Sequence, residues 1–255
     1  MKTRLTIILA VGLLATTAAS SASLSDLFKR KSPAEAAVSL SSLSQDQVVA
    51  GLKDALTTGV REAVRNLGKE GGFLQDVKVK IPMPENLQKI EKALRAAGQG
   101  KLADDFVTTL NRAAEQAVPE AAAVLGDAVK QMSIADAKAV LTGPDDAATQ
   151  YFRRTSETTL QERFLPLVKA ATNKTGVTSA YKQMADKAGG ALGGVLKSFG
   201  SSYLGGKMPD LDSYITARTL EGLFLKIAEQ EKQIRANPMA RTTDILKKVF
   251  GAVKK

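Results

Sequence analysis

Apolar residues recur at spacings of three and four along most of this chain, the period of a helix that buries one face. Val48, Leu52, Leu56, Val60, Ala63 and Leu67 form the first stripe. Ser44 with Gln47 three residues on gives it a capping-box start, and Gly68 is placed to end it. Leu87, Ile90, Leu94 and Ala97 form the next, opened by Pro84 and stopped by Gly98. Leu102, Phe106, Leu110, Ala113 and Ala117 predict a helix ending near Pro119, and Val124, Leu125, Ala128 and Met132 another. Ser133 with Asp136 repeats the capping spacing before a short helix to Leu141. Ala148, Phe152, Ser156, Leu160, Phe164 and Val168 make the cleanest stripe, in which Pro166 is expected to kink or interrupt the helix. Met184, Ala188, Leu192, Val195, Leu196, Phe199 and Tyr203 continue the period, as do Leu220, Leu223, Phe224, Ile227 and Ile234. Ile245, Leu246, Val249 and Phe250 predict a last short amphipathic piece.

One run breaks the rule. Val77-Lys78-Val79-Lys80-Ile81 alternates with period two, the pattern of a half-buried strand, and Pro82 and Pro84 close it. A lone strand leaves its N–H and C=O groups without a ladder. The run is therefore read as an extended strap lying over helices, with pairing to its copy in a dimer as the alternative. Short connections between the helices imply antiparallel neighbours. The expected fold is all-α, a single-domain antiparallel helical array over residues 44–250 with one short extended segment near 77–81.

The N-terminus has a different texture. Lys2 and Arg4 precede a nearly unbroken apolar run over residues 5–15, and Ser20-Ser21-Ala22 places small side chains at a cleavage position. This order is that of a secretory signal peptide, and the run is shorter than the ~20 residues that span a bilayer. Residues 1–22 are read as a cleaved signal peptide and 23–43 as a loose leader. No later stretch is apolar enough to cross a membrane, so the mature chain is expected in the periplasm.

Composition narrows the chemistry. The chain has neither Cys nor His, which removes thiol nucleophiles, imidazole general bases and imidazole metal sites. Ser-Lys catalysis and carboxylate chemistry remain. No cofactor and no metal are expected, and an enzyme is the less favoured class. The formal charge of +10 is uneven: residues 147–207 carry nine basic and three acidic side chains. Nucleic acid would be the natural partner of such a surface in the cytoplasm. After export, an anionic envelope surface or a protein partner takes its place, and a homo-oligomer is a further possibility.

Two places invite a functional reading. Residues 186–207 are rich in glycine and nearly free of acids; Leu192, Val195, Leu196, Lys197, Phe199 and Tyr203 would present an apolar, cationic face to a membrane or partner. The competing reading is a flexible insertion between two structural helices, since each glycine weakens a helix by ~1 kcal/mol relative to alanine. The second place is Asp145, Asp146, Gln150, Tyr151, Arg153 and Arg154, where carboxylates, a phenol and guanidiniums within three helical turns would suit an anionic ligand. Its competing reading is acids stabilising a helix start followed by a solvated charged face. The same acids support a rival hypothesis, a carboxylate enzyme using a divalent cation.

Several runs share one resemblance. Gly51-Leu-Lys-Asp-Ala-Leu56, Lys80-Ile-Pro-Met-Pro84, Asn111-Arg-Ala-Ala-Glu-Gln-Ala-Val-Pro119, Asp145-Asp-Ala-Ala-Thr-Gln-Tyr-Phe-Arg153, Leu220-Glu-Gly-Leu-Phe224 and Ile234-Arg-Ala-Asn-Pro238 lie in order along the chain. Together they resemble the exported bacterial family known as domain of unknown function 4197, over about residues 40–250. The resemblance implies a signal peptide and a single mostly helical domain, and it carries over no activity and no site. The leading expectation is a non-enzymatic binding or structural protein of the envelope.

Overall fold

The computed structural model describes residues 44–191 and 210–236. The signal peptide, the leader, the segment 192–209 with Leu192, Val195, Leu196, Lys197, Phe199 and Tyr203, and the piece at 245–250 lie outside the described residues. Eight α-helices are described: α1 (Gln45–Gly68), α2 (Gln88–Ala96), α3 (Gly100–Ala117), α4 (Ala121–Gln131), α5 (Ile134–Thr142), α6 (Ala147–Thr175), α7 (Val177–Ala191) and α8 (Leu211–Ala236). Single 3-10 turns, Glu85–Leu87 and Val118–Glu120, lead into α2 and α4. No strand occurs among the described residues, so the fold is all-α.

Both sequence-level capping boxes are built. Ser44 and Gln47 exchange bonds at the start of α1, Gln47 N donating to Ser44 Oγ at 3.2 Å and Ser44 N to Gln47 Oε1 at 2.9 Å. Ser133 and Asp136 do the same for α5. Gly98 has φ +71° beyond the end of α2 and Gly176 has φ +78° between α6 and α7, a left-handed conformation that favours glycine. Gly68 does not act this way: it is the last residue of α1, and the chain turns at Gly71, with φ +80°.

The two longest helices α6 and α8 make the most extensive contact in the fold. They run antiparallel, because Thr172 Oγ1 near the end of α6 donates to Asp212 Oδ1 at the start of α8, whereas Ala148 and Thr149 at the start of α6 donate to Glu231 near the end of α8. Helix α3 packs against α6 and α7, and α1 against α8 and α4. Phe73, Phe106, Phe152, Phe164 and Phe224 are fully buried between these layers. The stripe Ala148, Phe152, Ser156, Leu160, Phe164 and Val168 faces inward along its whole length. Pro166 neither ends nor splits α6, which stays helical from Ala147 to Thr175. Its ring is exposed, and Glu162, whose carbonyl loses its helical donor, is exposed as well, so the turn lies where solvent can serve that carbonyl.

Residues 69–84 form the strap. Only its second half alternates: Val79, Ile81 and Met83 point inward and are buried, whereas Val77 is 89% exposed. Before it, Asp76 gathers a turn by accepting from the N–H groups of Val79 and Lys80 at 3.1 and 2.8 Å. The polar backbone of the strap is served by side chains of α3. Ile81 N donates to Asn111 Oδ1 at 2.8 Å and Asn111 Nδ2 donates back to Ile81 O at 2.9 Å, so one carboxamide replaces a neighbouring strand. Four residues on, buried Glu115 accepts from Phe73 N and Leu74 N at 3.0 and 3.2 Å. With its backbone groups taken, Ile81 offers nothing to a second chain's strand.

Candidate functional site

The segment 145–154 does not converge on one point. Its first residues were expected to cap α6, but Asp146 at the N-cap makes no capping bond. The free N–H groups of the first turn go to Glu231 of α8, which accepts from Ala148 N and Thr149 N at 2.9 Å and from Thr149 Oγ1 at 2.9 Å. Glu231 is 7% exposed. Arg235 neutralises it at 2.8 Å and also donates to Val140 O at the end of α5 at 2.8 Å. One buried pair on α8 thus serves the end of one helix and the start of the next. Asp145 and Asp146 are left exposed, and Gln150 Nε2 donates to Asp146 Oδ1 at 3.0 Å.

The remaining residues split between two faces. Tyr151 is buried, with its hydroxyl donating to Ala128 O at 2.8 Å, and burial raises the pKa of its phenol. Arg154 sits 5.6 Å from the Tyr151 ring centre and pairs with Asp136 at 3.4 Å. These residues face α4 and α5, where Tyr151, Thr155, Ser156, Thr159 and Arg163 line a polar cleft of about 330 Å³. Arg153 points the other way. Its guanidinium lies 4.4 Å above the centre of the buried Phe224 ring of α8 and reaches Glu157 at 3.4 Å. No group of three or more acidic side chains that could hold a metal ion occurs among the described residues.

Arg153 and Asp146 share a groove of about 430 Å³ with residues the sequence did not single out. Its floor is α8 at Arg218, Glu221, Gly222, Leu225 and Ala228, positions three and four apart that fall on one helical face. One wall is the strap, through Lys78, Val79, Lys80 and Pro82; the other is α6, through Asp146, Thr149 and Arg153. Four cations face two carboxylates here, and both carboxylates are engaged: Asp146 by Gln150, and Glu221 by Arg218 at 2.9 Å. The hydrogen bond to Glu221 raises the pKa of Arg218, so it stays charged. Lys80 is exposed and has no ion-pair partner among the described residues.

The strap wall is set by close packing and by a four-charge latch. At Gly222 an added Cβ would lie 2.8 Å from Phe73 Cε1 and 3.2 Å from Val79 Cβ, so the strap comes this close to α8 there because that residue has no side chain. Beside this contact Lys226, mostly buried, bridges Asp76 at 2.6 Å and Glu229 at 2.7 Å, and Lys78 also reaches Glu229 at 2.6 Å. The hydrogen bond from Lys226 holds Asp76 below the usual carboxylate range, and those from Lys226 and Lys78 do the same for Glu229. Burial opposes the charge on Lys226, but its bonds to Asp76 and Glu229 outweigh it and raise its pKa.

The signal for these residues was present in part. Lys78 and Lys80 are the outward half of the period-two run, and Asn111 and Glu115 are polar residues four apart on a buried stripe. No local pattern says which distant backbone they serve. No curated protein and no solved structure matches the chain. The family described as "Protein of unknown function (DUF4197)" matches residues 42–251, which include every described helix and both walls of the groove, and the chain belongs to that family.

Proposed function

We propose that this is an exported, non-enzymatic binding protein that holds an anionic group of its partner in the groove between the strap, α6 and α8. The observation that carries the reading is the convergence of Lys78, Lys80, Arg153 and Arg218, from three separate elements, on one concave surface. The Arg153–Glu157 contact is exposed and long, and pairs of that kind contribute ~0–1 kcal/mol. Its guanidinium can turn to a ligand at small cost, while Phe224 keeps it over the groove. Pro82 and Leu225 add apolar surface between the charges, the usual mixture in a binding site.

Thermal unfolding in the presence of citrate or pyrophosphate tests the reading. Ligand that binds only the folded state raises the melting temperature by mass action, and the Arg153→Ala, Arg218→Ala double variant should lose that rise while melting normally without ligand. An equal rise in the variant, or none in the unaltered protein, would count against the groove.

Lys2, Arg4, the apolar run over 5–15 and the small residues at 20–22 support export. No described helix is long and apolar enough to cross a membrane. N-terminal sequencing of the protein from a periplasmic fraction should begin at Ser23; an intact Met1 on cytoplasmic protein would contradict export.

A further inference from the structure

The groove has a shape and a lining that specify more than an anion. The positions on its floor from Arg218 to Ala228 span ten residues of α8, about 15 Å of helix. That length matches four or five residues of extended peptide at about 3.3 Å each. Cations stand on both walls, and apolar surface lies among them: Pro82 beside the strap lysines, Leu225 and Ala228 on the floor.

Three alternatives fit less well. A bilayer is planar, and its headgroups cannot descend between two walls; membrane-binding surfaces project cations and apolar side chains outward. A small inorganic anion would engage one or two of the cations and leave the apolar floor in water. Phosphate is commonly gripped by the free N–H groups of a helix start, and here those of Ala148 and Thr149 are already given to Glu231. The strap cannot accept a peptide by adding a strand either, because the N–H groups of Lys78, Val79 and Lys80 turn inward to Asp76. Recognition must therefore run through side chains, by charge and by apolar contact.

Resting on the reading of the groove as an anion-binding site, we propose that its occupant is a short, extended, acidic segment of a partner protein. The segment's carboxylates pair with Lys78 and Lys80 on one wall, with Arg153 on the other and with Arg218 on the floor, and its alternate apolar side chains cover Leu225 and Ala228. The test is fluorescence anisotropy on the mature chain with a labelled eight-residue peptide of alternating glutamate and leucine. A lysine and leucine peptide serves as the control, and phosphatidylglycerol vesicles as the competitor.

Saturable binding of the acidic peptide alone is expected, weakened at least tenfold by Arg153→Ala with Arg218→Ala. Lys80→Glu, at an exposed position whose side chain has no partner among the described residues, should weaken it as well and guards against a double variant that misfolds. Equal binding by these variants would overturn the proposal, as would vesicles binding through the same residues with no peptide binding. If citrate still stabilises the protein through Arg153 and Arg218 while the peptide fails to bind, the peptide proposal falls and the anion reading stands. If neither acts, both fall.

Discussion

Single polar side chains, each buried and fully engaged, hold the parts of this fold that helices alone cannot. Glu231 accepts two backbone N–H groups of α6 and pairs with Arg235 inside the protein. Removing one partner of a buried pair leaves the other uncompensated, at a cost of about 3–5 kcal/mol. Glu231→Ala should destabilise by that amount in urea unfolding, and a loss below about 1 kcal/mol would show that water caps α6 equally well. Asn111 has the same character. Asn111→Leu keeps the number and branching of side-chain heavy atoms but strands the N–H and C=O of Ile81, at about 1–3 kcal/mol for each unsatisfied group. The expected loss is about 2–6 kcal/mol by the same measurement. Asn111 and Glu115 stand beside the apolar stripe of α3 and were not singled out by it. Their partners were not legible either, because Ile81 lies 30 residues away and Phe73 42.

At the scale of elements, the helices were legible and the strap only in outline. The 3.6-residue period located α1 to α6 and α8, since each buries one face, and two capping boxes fixed the starts of α1 and α5 from neighbours in sequence; α7 was not separated from the glycine-rich stretch that follows it. The turn at Asp145 and Asp146 does start α6, but its first N–H groups are served by Glu231 of another helix, and Pro166 does not interrupt the helix because its turn is exposed, both tertiary facts. The strap depends on Gly222. Gly222→Ala improves helix propensity by ~1 kcal/mol yet drives a methyl into Phe73 and Val79. Phe73 is fully buried and cannot step aside, so a net loss of about 1–3 kcal/mol is expected by thermal unfolding.

The latch beside it gives the strap a pH dependence. Asp76 and Glu229 titrate below their ordinary values when folded. The stability they contribute is complete above the normal carboxylate range and is lost as pH falls through the depressed values, below about pH 4. Lys226, whose pKa is raised, contributes stability that is lost only as pH rises past the lysine range. Urea midpoints across pH should show a shallower acid limb in Asp76→Asn with Glu229→Gln; an unchanged limb would place acid sensitivity elsewhere.

At the scale of the molecule, fold class could be read from sequence because it depends on periodicity and short connections, both local. The groove could not, because it exists only where α6 and α8 run antiparallel and the strap crosses them at Gly222. Of the six residues singled out around the start of α6, Asp146 and Arg153 line that groove, while Tyr151 and Arg154 belong to the opposite face. Helical rotation explains the split: adjacent residues point about 100° apart, so a run of ten cannot serve one site.

Anion binding at this groove, and not over the basic surface at large, is tested most directly by amide shifts of the isotopically labelled protein during titration with citrate. Saturating shifts confined to residues 78–82, 146–153 and 218–228, and absent in the Arg153→Ala, Arg218→Ala variant, are predicted. Shifts spread over the surface without saturation, or centred on other helices, would contradict it.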